Sequence, residues 1–145
     1  MKLAGVILVV LSMFILWPQS GTSQTQDKPD ALAQKSAETW LALTDSGKYA
    51  ESWDEAAAFF KSAVTKDQWL SALKSVRAPL GAVKSRRLKS AAYTRTLPGT
   101  PDGQYVVIQY ETSFANMPSA IETITPMFDK DGKWRVSGYF IKPAS

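Results

Sequence analysis

The chain has 145 residues, 45% of them hydrophobic and 21% charged, which suits one ordinary globular domain with a real core. It contains no cysteine and no histidine, which excludes disulfides, thiol nucleophiles, Cys- or His-based zinc sites and histidine triads. The formal charge of +4 is a mild excess, and its densest basic stretch, KSRRLK (Lys84–Lys89), lacks the broad basic face and aromatic platforms of a nucleic-acid binder.

The N-terminus reads as an export signal. Lys2 is followed by the uncharged apolar run LAGVILVVLSMFILW and then by PQSGTS, whose Gly21 and Ser23 have the spacing of a signal-peptidase site. The run is shorter than the roughly 20 residues of a comfortable membrane span, and no stable span is expected after cleavage near Ser23. The alternative is an uncleaved anchor. Loss of Lys2 leaves 16 basic against 13 acidic residues, a net +3. Residues 1–23 are thus read as a signal peptide, 24–30 as a flexible leader around Pro29, and 31–142 as one α+β domain in the periplasm or outside the cell.

Helical spacing starts at DALAQKSAETWLALTD, with Asp30 as N-cap, Trp40 on the apolar side and Gly47 as the C-terminal stop. In the turn DSGKY, Gly47-Lys48 lacks the strand and the earlier glycine of a phosphate-binding loop. It therefore reads as a helix–helix turn in which Asp45 or Ser46 caps the next helix. A second helix is predicted over KYAESWDEAAAFFKSAV, with Tyr49, Trp53 and Phe60 on one stripe. A third opens at Thr65, whose pairing with Gln68 is a capping box, carries Trp69 inward, and ends at Pro79 and Gly81.

Beyond Gly81 the period changes to two. Four strands are predicted: SRRLKSAAYTRTL, QYVVIQYETSF, AIETITPMF and WRVSGYFIK. The turn DKDGK resembles the start of a calcium loop but lacks the later bidentate acid. The predicted architecture is about three N-terminal helices packed on one face of a curved, four-stranded antiparallel meander.

Matching apolar residues across the turns places Tyr110 opposite Ile124 and Phe128 opposite Trp134. The inner face then carries Val106, Ile108 and Phe114 on strand two, with Val136, Gly138 and Phe140 on the last strand. The first strand brings Arg87, Lys89, Ala91 and Tyr93 to the same side. Glu122 is the anomaly on that face. A buried carboxylate needs partners, so Glu122, Arg87, Tyr110 and Trp134 are the candidate pocket. The bland alternative is an ion pair at the rim that orients the strands. Glu111 faces away from Glu122, which disfavours a glycosidase pair. The tryptophans are predicted to be core, with an aromatic pocket or binding surface as the alternative.

A set of motifs carries a resemblance. WLALTDSGKYAESWDEAAAFFKSAVTKDQW, RAPLG, LPGTPDGQYVVIQYETSF and DGKWRVSGYFIK are similar to the bacterial exported family called domain of unknown function 4019. Trp40, Gly47, Tyr49, Trp53, Trp69 and Gly81 are its structural markers here. The resemblance implies a small secreted or periplasmic domain and carries over no catalytic set. The helix-then-sheet order also resembles the cystatin-like and nuclear-transport-factor-2-like group, whose sheets enclose a cone-shaped cavity. The residues imply no cofactor and no metal. Two functions are predicted: a non-enzymatic module for a small apolar or amphipathic ligand or a protein partner, including a homodimer through the sheet, or a cone-cavity enzyme using Glu122 as acid–base.

Overall fold

A computed structural model describes residues 29–145; the predicted signal segment and most of the leader lie outside the described residues. Helices α1 (Pro29–Asp45), α2 (Tyr49–Asp54), α3 (Ala58–Ala63) and α4 (Lys66–Val76) precede a single 3-10 turn (Ala78–Leu80). Strands β1 (Val83–Thr94), β2 (Tyr105–Phe114), β3 (Met117–Phe128) and β4 (Trp134–Pro143) follow, paired antiparallel in the order β1-β2-β3-β4. The predicted α+β class and meander are therefore observed. No described helix is long and apolar enough to cross a membrane.

Helix α1 ends as its sequence dictates. Gly47 adopts φ 75°, and the N–H groups of Gly47 and Lys48 donate to the carbonyls of Thr44 and Leu43. Asp30 lies within the first turn of α1. The turn into α2 has no side-chain cap, so the predicted capping by Asp45 or Ser46 is not used. The predicted second helix is split into α2 and α3. Ala57 N–H donates to the Val136 carbonyl, and Ala58 N–H donates to Asp129 Oδ2. These two bonds, one to β4 and one to the β3–β4 turn, capture the chain and break the helical ladder. The Thr65–Gln68 capping box forms in full at the start of α4.

The helices lie on one face of the sheet, with α1 contacting all four strands. Trp40, Leu41, Phe60, Trp69 and Leu73 pack there on Val106, Ile108, Tyr110, Ile124 and Val136. Ser52 is the polar pin of this core. Trp40 Nε1 donates to its carbonyl at 2.7 Å and Trp69 Nε1 to its hydroxyl at 2.9 Å. Trp53 Nε1 donates to the Val64 carbonyl, and Tyr49 packs at the core margin. The tryptophan markers thus anchor helices to one another.

Three details of the predicted register differ. Only Ala115 and Asn116 join β2 to β3, since Met117 already pairs with Phe114. This tighter turn shifts the pairing by two residues, so Tyr110 faces Glu122 and Ile108 faces Ile124. A two-residue shift keeps every side chain on its predicted face. Bulges in the outer strands do not. Lys89 is an extra residue in β1 between Leu88↔Tyr110 and Ser90↔Gln109. Ser137 is an extra residue in β4 between Pro126↔Val136 and Thr125↔Gly138. Each bulge reverses the inward and outward alternation beyond it. Phe128 faces Trp134 as predicted, but beyond Ser137 the inward residue is Tyr139 and Phe140 is exposed.

Gly81 leaves the 3-10 turn at φ 77° and ψ −160°, a region accessible in practice to glycine alone. A Cβ there would meet Ala115 Cβ at 3.1 Å and Asn116 Nδ2 at 3.2 Å. Gly47 has a similar φ but open space around it. Gly81→Ala is expected to lower stability by about 2–3 kcal/mol in urea unfolding, and Gly47→Ala by about 1 kcal/mol. Equal losses would remove the role assigned to the Ala115–Asn116 contact.

Candidate functional site

Glu122 sits in the middle of β3 on the helix-facing side, and it is fully buried. An ionised carboxylate there needs hydrogen bonds to every exposed lone pair it has lost from water. Arg86 Nε donates to Oε1 at 2.8 Å and Thr112 Oγ1 donates to the same oxygen at 2.5 Å. Tyr139 OH donates to Oε2. These donors come from β1, β2 and β4, so all three other strands converge on one residue of β3.

The cluster extends to the helices. Arg86 also donates from Nη1 and Nη2 to Asp45 at 2.7 and 3.0 Å, a bidentate pair at the C-terminal end of α1. Buried Arg77 approaches the same carboxylate at 3.4 Å, donates to the Gly81 carbonyl at 2.6 Å and covers the Phe114 ring at 4.7 Å. Two arginines and two acids therefore form a neutral chain from Arg77 to Glu122. The Tyr139 ring meets Trp40 edge-on at 5.2 Å, which joins the cluster to the aromatic core.

The two bulges build this site. Without Lys89 as an extra residue, Arg87 would face inward in place of Arg86. Without Ser137, Phe140 would stand where Tyr139 does. The prediction of Arg87 as the partner of Glu122 is corrected on this point. Arg87 lies on the open face, its side chain 80% exposed, and pairs with Glu111. Tyr110 does lie beside Glu122, as its cross-strand neighbour. Its hydroxyl is buried and has no hydrogen-bond partner among the described residues. Trp134 is remote, six positions along β3 from Glu122 through its partner Phe128, or about 20 Å at ~3.3 Å per residue. It lines a groove of ≈ 1030 Å³ between α1 and the β3–β4 turn, together with Leu32, Leu43 and Phe128.

Arg86, Thr112, Tyr139, Asp45 and Arg77 are the site residues that the sequence reasoning missed. Glu111 and Glu122 lie on opposite faces. The acids of the DKDGK turn are occupied by the protein itself. Asp129 accepts from Ala58 and Lys130, and Asp131 accepts from Lys133 and Arg135. On the open face of the sheet, a trough of ≈ 950 Å³ runs across Arg87, Lys89, Gln109, Glu111, Ile121 and Lys142. Glu122 lines neither this trough nor the α1 groove.

The electrostatics follow from burial. Tyr139 is pushed well above the usual tyrosine range, first by burial and then by the Glu122 charge and hydrogen bond. Tyr110 is pushed from 10.0 up to about 12, mainly by burial, with the charges of Glu38 and Glu122 adding and Arg86 opposing. Both hydroxyls are therefore protonated near neutral pH.

This geometry sits within a sequence family. The chain matches DUF4019, described as a protein of unknown function, over residues 36–139. It belongs to that family. The matched range spans the sequence from α1 to Tyr139, so it takes in Asp45, Arg77, Arg86, Thr112 and Glu122 of this DUF4019 chain. No curated protein matches the sequence.

The cluster makes two predictions. Arg86→Met leaves Glu122 buried with two neutral donors and should cost about 3–5 kcal/mol in urea unfolding. Adding Glu122→Met should recover most of that loss, and failure of the double variant to recover would contradict charge burial as the cause. For Tyr110, the folded state favours the neutral phenol, because its folded value exceeds the unfolded one. Its contribution is complete below pH 10 and is lost as pH rises toward about 12. Tyr110→Phe should make that alkaline decline shallower. At pH 7 it should be neutral or stabilising by up to about 1 kcal/mol, because it removes an unpaired hydroxyl.

Proposed function

We propose that this DUF4019 domain is a non-enzymatic, exported interaction module that engages a protein partner through its sheet. The observation that carries the reading is the saturation of Glu122. An acid–base catalyst must reach the proton that it moves in a bound substrate. Glu122 is enclosed, accepts from three side chains, and lines neither large groove. The volume between helices and sheet is taken up by side chains, Trp40, Trp69, Tyr110 and Tyr139 among them. The cone-cavity enzyme loses its acid on this account, and an interior small-ligand site loses its space.

The outward surfaces support docking. Among the described residues, no helix covers the open face of the sheet, where the trough combines arginine and lysine heads with hydroxyl and amide groups. The order of helices before a meander also supports a place in the cystatin-like and nuclear-transport-factor-2-like group. Export rests on Lys2 and the apolar run that follows it.

Native mass spectrometry of the full chain expressed with its own N-terminus and purified from the periplasm tests this. The expected spectrum holds the chain, without residues 1–23, in complex with another protein. A doubled mass would make the partner a second copy. A retained small molecule, or a bare monomer alone, would overturn the reading.

A further inference from the structure

We propose that the free edge of β1 receives an added strand: an extended segment of a partner protein, uncharged at its centre and acidic at both ends, paired along Ser90–Thr94. This rests on the interaction-module reading and names the surface and the chemistry of the partner.

An open four-stranded sheet has two edges, and here they differ. The β4 edge is partly closed. Ser36 Oγ donates to the Trp134 carbonyl at 2.6 Å, Ala57 N–H donates to the Val136 carbonyl at 2.8 Å, and a proline ends the strand. Among the described residues, no helix or loop makes a hydrogen bond to the main chain of Val83–Thr94. Main-chain hydrogen bonds supply the affinity in strand addition, so an unoccupied edge is the first requirement.

The second requirement is a regular ladder. From Ser90 to Thr94 the pairing with β2 is unbroken, Ser90↔Gln109 through Thr94↔Tyr105. Its residues, Ser90, Ala91, Ala92, Tyr93 and Thr94, are small or aromatic and uncharged, and Tyr93 is 40% exposed. Leu88 beside it is 42% exposed although it lies on the helix-facing side, opposite Tyr110. These two side chains offer apolar contact to alternate residues of an incoming strand.

Charge selects the occupant. Exposed Lys89 and Arg95 bracket the uncharged stretch, and exposed Lys84 and Arg87 extend the basic end. Lys84, Lys89 and Arg95 have no ion-pair partner within 4.0 Å among the described residues, while Arg87 shares an exposed pair with Glu111. No acidic residue occurs in β1. A second copy of this edge would bring like charges together, which disfavours self-pairing. The same charges attract a strand with acids at its ends and oppose one with lysines.

The test uses the unmodified chain and a fluorescent synthetic peptide with a Val-Thr-Val-Thr-Val centre and two glutamates at each end. Anisotropy titration should show saturable binding that weakens with salt. Replacing the glutamates by lysines, or N-methylating alternate central amides, should abolish it. The exposed double change Lys89→Glu with Arg95→Glu should weaken the acidic peptide roughly two- to thirtyfold and favour the lysine peptide. Hydrogen exchange should slow at Ser90–Thr94 when peptide is added. No binding, equal binding of the lysine or N-methylated peptide, protection elsewhere, or self-association through β1 would each overturn the proposal. A protein retained in the native spectrum beside a peptide that fails to bind would remove the β1 edge and keep the interaction module.

Discussion

Burial of the Glu122 charge is the constraint on which the rest of this structure depends. A lone carboxylate on an apolar face is untenable, so the fold must bring donors to it from every side. Arg86, Thr112 and Tyr139 do this from three different strands. Such a cluster adds little net stability compared with well-packed apolar residues, because desolvation offsets most of the attraction. Its stronger effect is on uniqueness. A one-residue slip of β1 or β4 would turn Arg86 or Tyr139 to the open face and leave the charge without its partner. The bulges at Lys89 and Ser137 are thus parts of the same device, since they set the parity that delivers both residues.

The second acid has a matching role. Asp45 closes α1 and receives both Arg86 and Arg77, so the end of the helix, the start of β1 and the 3-10 turn are joined by one carboxylate. The turn DSGKY is therefore more than a connection. Gly47 supplies the backbone reversal and Asp45 supplies the electrostatic link to the sheet. Ser52, one turn into α2, adds the link between Trp40 and Trp69.

How far the sequence could be read follows from where the chain obeys its own period. In β2 and in β3 around Ile124, apolar residues alternate without interruption through the core, so the buried face could be read directly. Glu122 stood out there because its neighbours were apolar. A bulge leaves no mark in a binary pattern. In β1, Arg86 and Arg87 are adjacent and chemically alike, so nothing in SRRLK marks which one turns inward. In β4, Tyr139 and Phe140 are both aromatic, and the more apolar of the two is the exposed one. The split between α2 and α3 was equally hidden, because Asp129 and the Val136 carbonyl act from the far end of the sequence. Composition excluded histidine and cysteine chemistry outright, yet it could not say whether the acid on the inner face was accessible. That depended on three donors placed by tertiary structure.

The buried cluster also bears on what the surface can do. Arg86 is held from within by Glu122 and Asp45, so the middle of β1 is fixed although, among the described residues, no further strand pairs with its outer edge. Loose edge strands lose conformational freedom when a partner pairs with them, and that cost reduces affinity. A strand pinned by an internal ion pair has already lost much of that freedom. The residues that surround Glu122 thereby stiffen an edge to which, among the described residues, no helix or loop makes a main-chain hydrogen bond. The interior acid and the exterior edge are then two consequences of the same arginine.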